Sequence, residues 1–254
     1  MSNKYGRLAA GTGILTILVL WQIGSTKYGS VVLPTPLETV RAISALLGEG
    51  KLLSAAAVTS ARTLAGLALA VLTGTLSGIM AGLHPLADRA VRPLVTMLQG
   101  IPPIAWIVLA LLWFGTGSAT PIFTVAVAVI PITFAGAREG VRTMDGNLLE
   151  MARIFQTPPA MLFQDIYLPH LLSYLFPSLV AGLGVAWKVA VMAELMASST
   201  GIGAGLHAAR VNLDTAKALA WIAVVVALLS AIEHLCLNPL KRRMEPWRGT
   251  PKIT

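Results

Sequence analysis

Residues 148–169, LLEMARIFQTPPAMLFQDIYLP, form the one long segment between the later apolar runs that is neither a membrane span nor a simple hydrophilic loop. Leu148, Ala152 and Phe155 recur at helical spacing on one side of a short helix, and Glu150 and Arg153 stand three residues apart, close enough to pair. Thr157 is a capping residue type and Pro158 suits a first helical position, so a second short helix is predicted, with Leu162 and Ile166 sharing a face. The expectation is two amphipathic helices joined by a corner at residues 156–159. A compact helical hairpin of this kind, set between membrane spans, is a surface for a partner protein.

Of the 254 residues, 56% are hydrophobic and only 12% are charged, and the mean hydropathy is +0.75. A soluble domain carries about 25% charged residues, so the chain is read as a polytopic membrane protein. Its formal net charge of +8 is scattered between apolar runs, with no basic face interleaved with aromatics, which argues against a nucleic-acid partner. The single cysteine, Cys236, excludes an internal disulfide.

Outward from the central stretch, six apolar runs divide the chain. Residues 8–23 hold no charge and follow Lys4 and Arg7; no small-x-small cleavage site comes after them, so they are read as a retained first span. Residues 24–57 are mixed and polar, with a turn at Leu33-Pro34-Thr35-Pro36 and a short helix predicted over 37–47. The second span, 58–83, is interrupted only by Arg62. It carries Gly66, Ala70, Gly74, Gly78 and Gly82 at every fourth position, a ridge that lets another helix approach closely. After a polar loop at 84–92, the third span, 93–114, meets Pro102 and Pro103 about ten residues in, ~15 Å along its axis. Two adjacent prolines remove donors and disfavour helix at Ile101, so a kink or break is predicted there. Its purpose stays open between lining a cavity, where freed carbonyls meet water, and a structural kink satisfied by a neighbouring helix. Residues 121–137, 170–197 and 216–237 complete the six spans, with a small-residue loop at 198–215 and a basic tail at 238–254.

Lysine and arginine set the orientation. With the N-terminus inside, the inner segments hold Lys4, Arg7, Arg89, Arg92, Arg138, Arg142, Arg153 and the five cations of the tail, twelve of the nineteen. The outer segments hold five: Lys27, Arg41, Lys51, Arg210 and Lys217. Both termini and the 148–169 segment are therefore expected in the cytoplasm.

Several chemistries have no motif here. No GxxxxGK[ST] phosphate loop, HExxH, metal-spaced Cys/His cluster or GxSxG occurs, so neither a catalytic nor a metal site is expected. His84, His170, His207 and His234 are far apart and near span ends, as interfacial histidines are.

Glu150, Ala152, Ile166, Leu168 and Pro169 fit, without a gap, the EAA-x3-G-x9-I-x-LP signature of permease subunits of binding-protein-dependent ABC importers. Leu33-Pro34-Thr35-Pro36, Ile101-Pro102-Pro103, Leu112-Trp113-Phe114-Gly115, Ala193-Glu194-Leu195 and Ala197-Ser198-Ser199 resemble one branch, the nitrate/sulfonate/taurine/bicarbonate-type permeases. The resemblance covers roughly residues 33–247. Two positions depart from the signature: Met151 stands for its second alanine and Gln156 for its glycine. Glycine there tolerates a left-handed turn that glutamine adopts at a cost.

The resemblance implies an all-α polytopic fold, six transmembrane helices with a cytoplasmic coupling-helix hairpin, as in type I importer permeases of the bacterial inner membrane. It implies that Glu150, Ala152, Gln156, Ile166, Leu168 and Pro169 couple to two copies of a separate ATPase, which binds ATP and Mg while this chain holds no cofactor. It further implies a homodimer with a second permease copy, an extracytoplasmic solute-binding protein, and a small anion such as a sulfonate, nitrate or bicarbonate as cargo. Candidates for the translocation pathway are Gln99, Pro102, Pro103, Trp106, Trp187, Lys188 and Glu194. Lys188 either faces the pathway and favours an anion or snorkels to the outer interface. Glu194 opposes an anion site, and a structural bond to the 198–203 loop is its alternative role. Gly74, Gly78 and Gly82 are assigned to helix packing. A secondary transporter is the competing class, but neither an inverted repeat nor paired intramembrane carboxylates are visible. A membrane-embedded enzyme lacks any nucleophile–base or metal set.

Overall fold

A computed structural model describes residues 2–233, apart from the side chains of residues 2–10 and 14. The expected basic tail and the last residues of the sixth run lie outside the described residues. The described chain is helical: α1 Ser2–Tyr28, α2 Pro36–Gly48, α3 Lys51–Leu83, α4 Pro85–Gly100, α5 Pro103–Phe114, α6 Ala119–Arg142, α7 Gly146–Ile154, α8 Pro159–Leu162, α9 Leu168–Ala197, α10 Ile202–Val211 and α11 Thr215–Ile232. Four helical stretches are long and apolar enough to cross a membrane: Lys51–Leu83, Ala119–Arg142, Pro159–Ala197 and Thr215–Ile232. Counting α4 and α5 as one broken span makes five among the described residues. Helix α1 covers the expected first span.

Helix α6 is the axis, with α3 packed on one side and α9 on the other. The small-residue ridge explains the first of these seams. A methyl group added at Gly66 would meet Val125 and the Ile122 carbonyl, at Gly74 Thr133, at Gly78 the Phe134 carbonyl and Ala137, and at Gly82 Val141. The sequence predicted a close approach without naming the partner; the partner is α6. Its own Gly136 lies as tightly against Ser178 of α9, and Gly140 a little less closely against Leu171 and Tyr174. Thr133 donates to the Ala70 carbonyl across the first seam (3.0 Å).

The double proline breaks the third span completely. Ile101 and Pro102 are extended (ψ 123° and 142°), as a residue before proline prefers, and α4 and α5 diverge by 98°. The expected polar loop at 84–92 is helical instead. Pro85 starts α4, where its missing N–H costs nothing, and Asp88 is tied to Arg138 of α6 through two bonds (2.5 and 2.7 Å). The expected loop at 198–215 likewise contains a helix, α10.

Helices α7 and α10 stop in the same way. The N–H groups of Gln156 and Thr157 donate back to Arg153 and Ala152, and those of Leu213 and Asp214 to Arg210 and Ala209. This doubled closure places one residue in the left-handed region, usually glycine; here Gln156 (φ +51°) and Leu213 (φ +53°) take that position.

Candidate functional site

At one end of the bundle, α7 follows α6 and precedes α8. Asp145 caps it by accepting from the Asn147 N–H (2.9 Å). Only Ala152 of α7 is buried, at 6% exposure. Leu148, Met151, Ile154 and Phe155 are open, with Ile154 and Phe155 at 73% and 75%, and Met161 and Phe163 extend the exposed apolar set beyond the corner. Of the predicted side Leu148, Ala152 and Phe155, only Ala152 is covered by the bundle; Leu148 and Phe155, within a turn of it on either side, stay open.

Three further details of the predicted hairpin differ. No Glu150–Arg153 ion pair forms among the described residues; both side chains are exposed, where such a pair contributes about 0.5 kcal/mol at most. Thr157 does not cap: Pro158 is the N-cap of α8 and makes no side-chain bond, while the Thr157 N–H closes α7. Nor is the second arm a separate helix. Helix α8 continues through a wider turn, Phe163–Tyr167, into α9. Ile166, Leu168 and Pro169 are thus the base of a span, and Gln156 is the corner between it and α7.

At the opposite end the sequence missed a buried polar network. Arg62 of α3 is 6% exposed and Glu194 of α9 fully buried. Arg62 Nη1 donates to Glu194 Oε1 (2.8 Å) and to the Thr200 carbonyl (2.7 Å). Its Nη2 reaches Thr200 Oγ1 (2.8 Å), and its Nε reaches Ser118 Oγ (3.0 Å). Thr59 Oγ1 donates to Glu194 Oε2 (2.7 Å) and accepts from the Ile202 N–H (2.9 Å), and the Gly203 N–H completes the carboxylate (3.1 Å). Both charges are paired and their remaining bonds are filled, the condition under which a buried ion pair is tolerated. Gly201, at φ +105°, lies where any side chain would enter the Glu194 carboxylate. The network joins α3, the start of α6, α9 and α10. An arginine inside an otherwise apolar run is the signal that could have prompted a search for its acidic partner.

The remaining pathway candidates are dispersed. Glu194 is sealed in that network, so it does not line a path; its bond to the 198–203 loop is the role observed. Trp187 is also withdrawn from any path, 2% exposed in the cluster with Leu46, Leu52, Ile202 and Trp221. Gln99, Pro102 and Pro103 are exposed at the α4–α5 break. Trp106 packs edge-on against Phe123, and its indole N–H is buried without a partner among the described residues. Lys188 is exposed and lines a cavity of about 270 Å³ between α9 and α11, together with Glu233. No group of three metal-ligating side chains converges among the described residues.

Residues 70–247 match the family described as binding-protein-dependent transport system inner membrane component. The chain belongs to that family. It is 29% identical over 248 residues to the taurine transport system permease protein of Escherichia coli (strain K12), covering 95% of this chain and 90% of that one. It is 28% identical over 250 residues to an aliphatic sulfonates transport permease protein of Bacillus subtilis (strain 168), covering 98% and 90%. With the bicarbonate transport system permease protein of Synechocystis it shares 30% identity over 203 residues, 75% of this chain and 72% of that one. The fold is that of a chain of the MetNI methionine ABC transporter in an inward-facing form, with a TM-score of 0.62 at 17% identity, covering 74% of this chain and 93% of that chain. This protein is a membrane-embedded permease of the ABC importer class, of the nitrate/sulfonate/taurine/bicarbonate branch.

Proposed function

We propose that this permease carries a small anion of the sulfonate, nitrate or bicarbonate kind, and that α7 couples its motion to a separate ATPase. The observation carrying the coupling is the exposed row of Leu148, Met151, Ile154 and Phe155 on a helix held by one buried contact, Ala152. Exposed apolar clusters rimmed by charge mark protein interaction sites, and Glu150 and Arg153 supply the rim. Because α8 runs directly into α9, a push on α7 and the Gln156 corner is delivered to a 39-residue helix crossing the bundle. Two such chains, two ATPase copies and an extracytoplasmic binding protein make the working assembly, with α7 and both termini in the cytoplasm. ATP and Mg belong to the ATPase; this chain hydrolyses nothing. ATP-driven closure of the ATPases favours one arrangement of the spans through differential binding, and the pathway opens to alternate sides.

Co-purification of the ATPase with the native chain, Glu150→Lys and Ala152→Asp tests the coupling. Loss of the ATPase from both variants is expected, since one places a like charge or gap at the rim and the other buries a carboxylate under α7. Retained ATPase and retained transport in both variants would defeat the assignment.

A further inference from the structure

The joint between α8 and α9 holds one residue more than a regular helical turn. Over Phe163–Tyr167 the ladder widens, and the N–H of Leu168 donates to the Phe163 carbonyl, five residues back instead of four. The next residue accounts for the place. Pro169 has no N–H to offer the Asp165 carbonyl, and in a regular helix its ring would collide with that oxygen. Nor does the helix begin at Pro169, because α8 and the wide turn run into α9 as one stretch, Pro159–Ala197. The proline is therefore interior, and the widening relieves it. Proline by itself is not enough: Pro177 follows buried Leu175 and Phe176 in the same helix, and α9 stays regular there. The difference is packing. Helix α8 and Phe163–Tyr167 bury no side chain, so nothing opposes the extra width.

What lies on either side makes the place consequential. Directly after Pro169, α9 is held by α6 and the residue that follows it: His170 Nε2 stands 3.3 Å from Thr143 Oγ1, and a methyl group added at Gly140 would lie against Leu171 and Tyr174. Before the turn, Ala152 is the one buried side chain from Gly146 to Tyr167. The apolar row of α7 is thus aimed by the backbone between Gln156 and Pro169 more than by side-chain packing. Each helical residue turns the chain by ~100° and advances it ~1.5 Å. A wide turn absorbs one surplus residue and keeps the helices on its two sides in phase. Closed to a regular ladder with the same residue count, it would swing α8 and α7 by ~100° about the α9 axis.

We propose that Pro169 is a positioning residue: by holding the Phe163–Tyr167 turn open, it sets the angle at which α7 meets the ATPase. The inference rests on the reading of α7 as the ATPase-facing helix. It gives the proline of the signature an action through the backbone in place of a contact with the partner.

The test is a cycle of two changes in the complete permease, reconstituted in lipid nanodiscs and titrated with its ATPase. Pro169→Ala supplies the missing N–H and lets the turn close. Its stability, read by thermal unfolding, is expected to hold or rise, while ATPase binding weakens about tenfold or more. Deletion of Gln164, an exposed residue of the turn, removes the surplus residue while the proline stays, and should weaken binding similarly. Together the two changes leave a regular helix of the original phase, and binding should return to within about threefold of native. Mutual rescue of this kind is a coupling that two independent structural lesions do not produce. Native-like binding by Pro169→Ala, a lower stability of that variant, or a double variant that binds no better than Pro169→Ala alone overturns the proposal. If the native chain binds the ATPase while the rescue fails, only the role of the joint falls; a native chain that binds no ATPase removes the coupling reading as well.

Discussion

The two ends of the bundle treat their side chains in opposite ways. At the α10 end, Arg62, Glu194, Thr59, Thr200 and Ser118 are closed on one another, and the carboxylate is withdrawn from solvent. At the α7 end, apolar residues stand open and the helix rests on little more than Ala152. The first end is complete within one chain and holds four elements in fixed relation. The second leaves its apolar row uncovered, which is what the proposed docking of an ATPase requires. The difference teaches how the bundle divides its polar and apolar groups: α6 and α9 connect a self-sufficient buried clamp to an end with an open apolar row.

The comparison breaks most decisively at Arg62. Arg62→Met leaves Glu194 buried and charged, and removing one member of such a pair costs about 3–5 kcal/mol. Thermal unfolding of the detergent-purified protein should show the loss, and pairing it with Glu194→Gln should restore part of it. Unchanged stability in the single variant would mean that the α10 end is not a clamp.

The next effect is on association and not on folding. Phe155→Ser at the α7 end should leave stability within about 0.5 kcal/mol, as exposed substitutions do. It should weaken ATPase binding by about 2 kcal/mol or more if Phe155 is an anchor of the interface, roughly thirtyfold. A titration of ATPase against permease in nanodiscs reads this directly; a stability loss with unchanged binding would reverse the contrast between the ends.

The shared helix stop sharpens the contrast further. Gln156→Gly and Leu213→Gly relieve left-handed conformations that cost a non-glycine residue roughly 1–2 kcal/mol. Both should raise stability by about 1 kcal/mol, measured by the same unfolding assay. Gln156→Gly alone should alter the dependence of ATP hydrolysis on loaded binding protein, because only that corner lies between α7 and α9.

The smallest effect concerns Asp214, the cap of α11, which accepts from the Lys217 N–H (3.0 Å) and pairs with its ammonium (3.1 Å). The backbone bond from Lys217 holds the carboxyl below its ordinary range, aided by the side-chain bond and charge and opposed by partial burial. A depressed folded pKa means that its stabilisation is fully present above the unfolded value, about 3.9, and is lost as pH falls through the lower, folded one. Asp214→Ala should cost about 1 kcal/mol near neutral pH and flatten the acid limb of the stability profile; an unchanged limb would assign the acid sensitivity to other carboxylates.

How much of this was legible depends on the kind of interaction. The apolar runs, the small-residue ridge, the break at Pro102–Pro103 and the left-handed corner at Gln156 are local properties of backbone and composition. Each could be read because proline, glycine spacing and hydropathy act within a few residues of themselves. The openness of Leu148 and Phe155 was not legible, because helical spacing puts residues on one side of a helix without saying which of them the bundle covers. The α10 end was illegible for a stronger reason: Arg62 and Glu194 are separated by 132 positions.

By itself the sequence determined that this chain crosses a membrane, where its apolar runs lie and where the third of them breaks, and, through the EAA-type signature, which class of machine it serves. Tertiary structure alone decided the partner of the glycine ridge, the burial of Trp187 and the closing of Glu194 on Arg62. Hydropathy and turn chemistry are summed over adjacent residues and so survive in one dimension. Charge pairing and burial depend on distances between remote segments, and those exist only once α3, α6, α9 and α11 have packed.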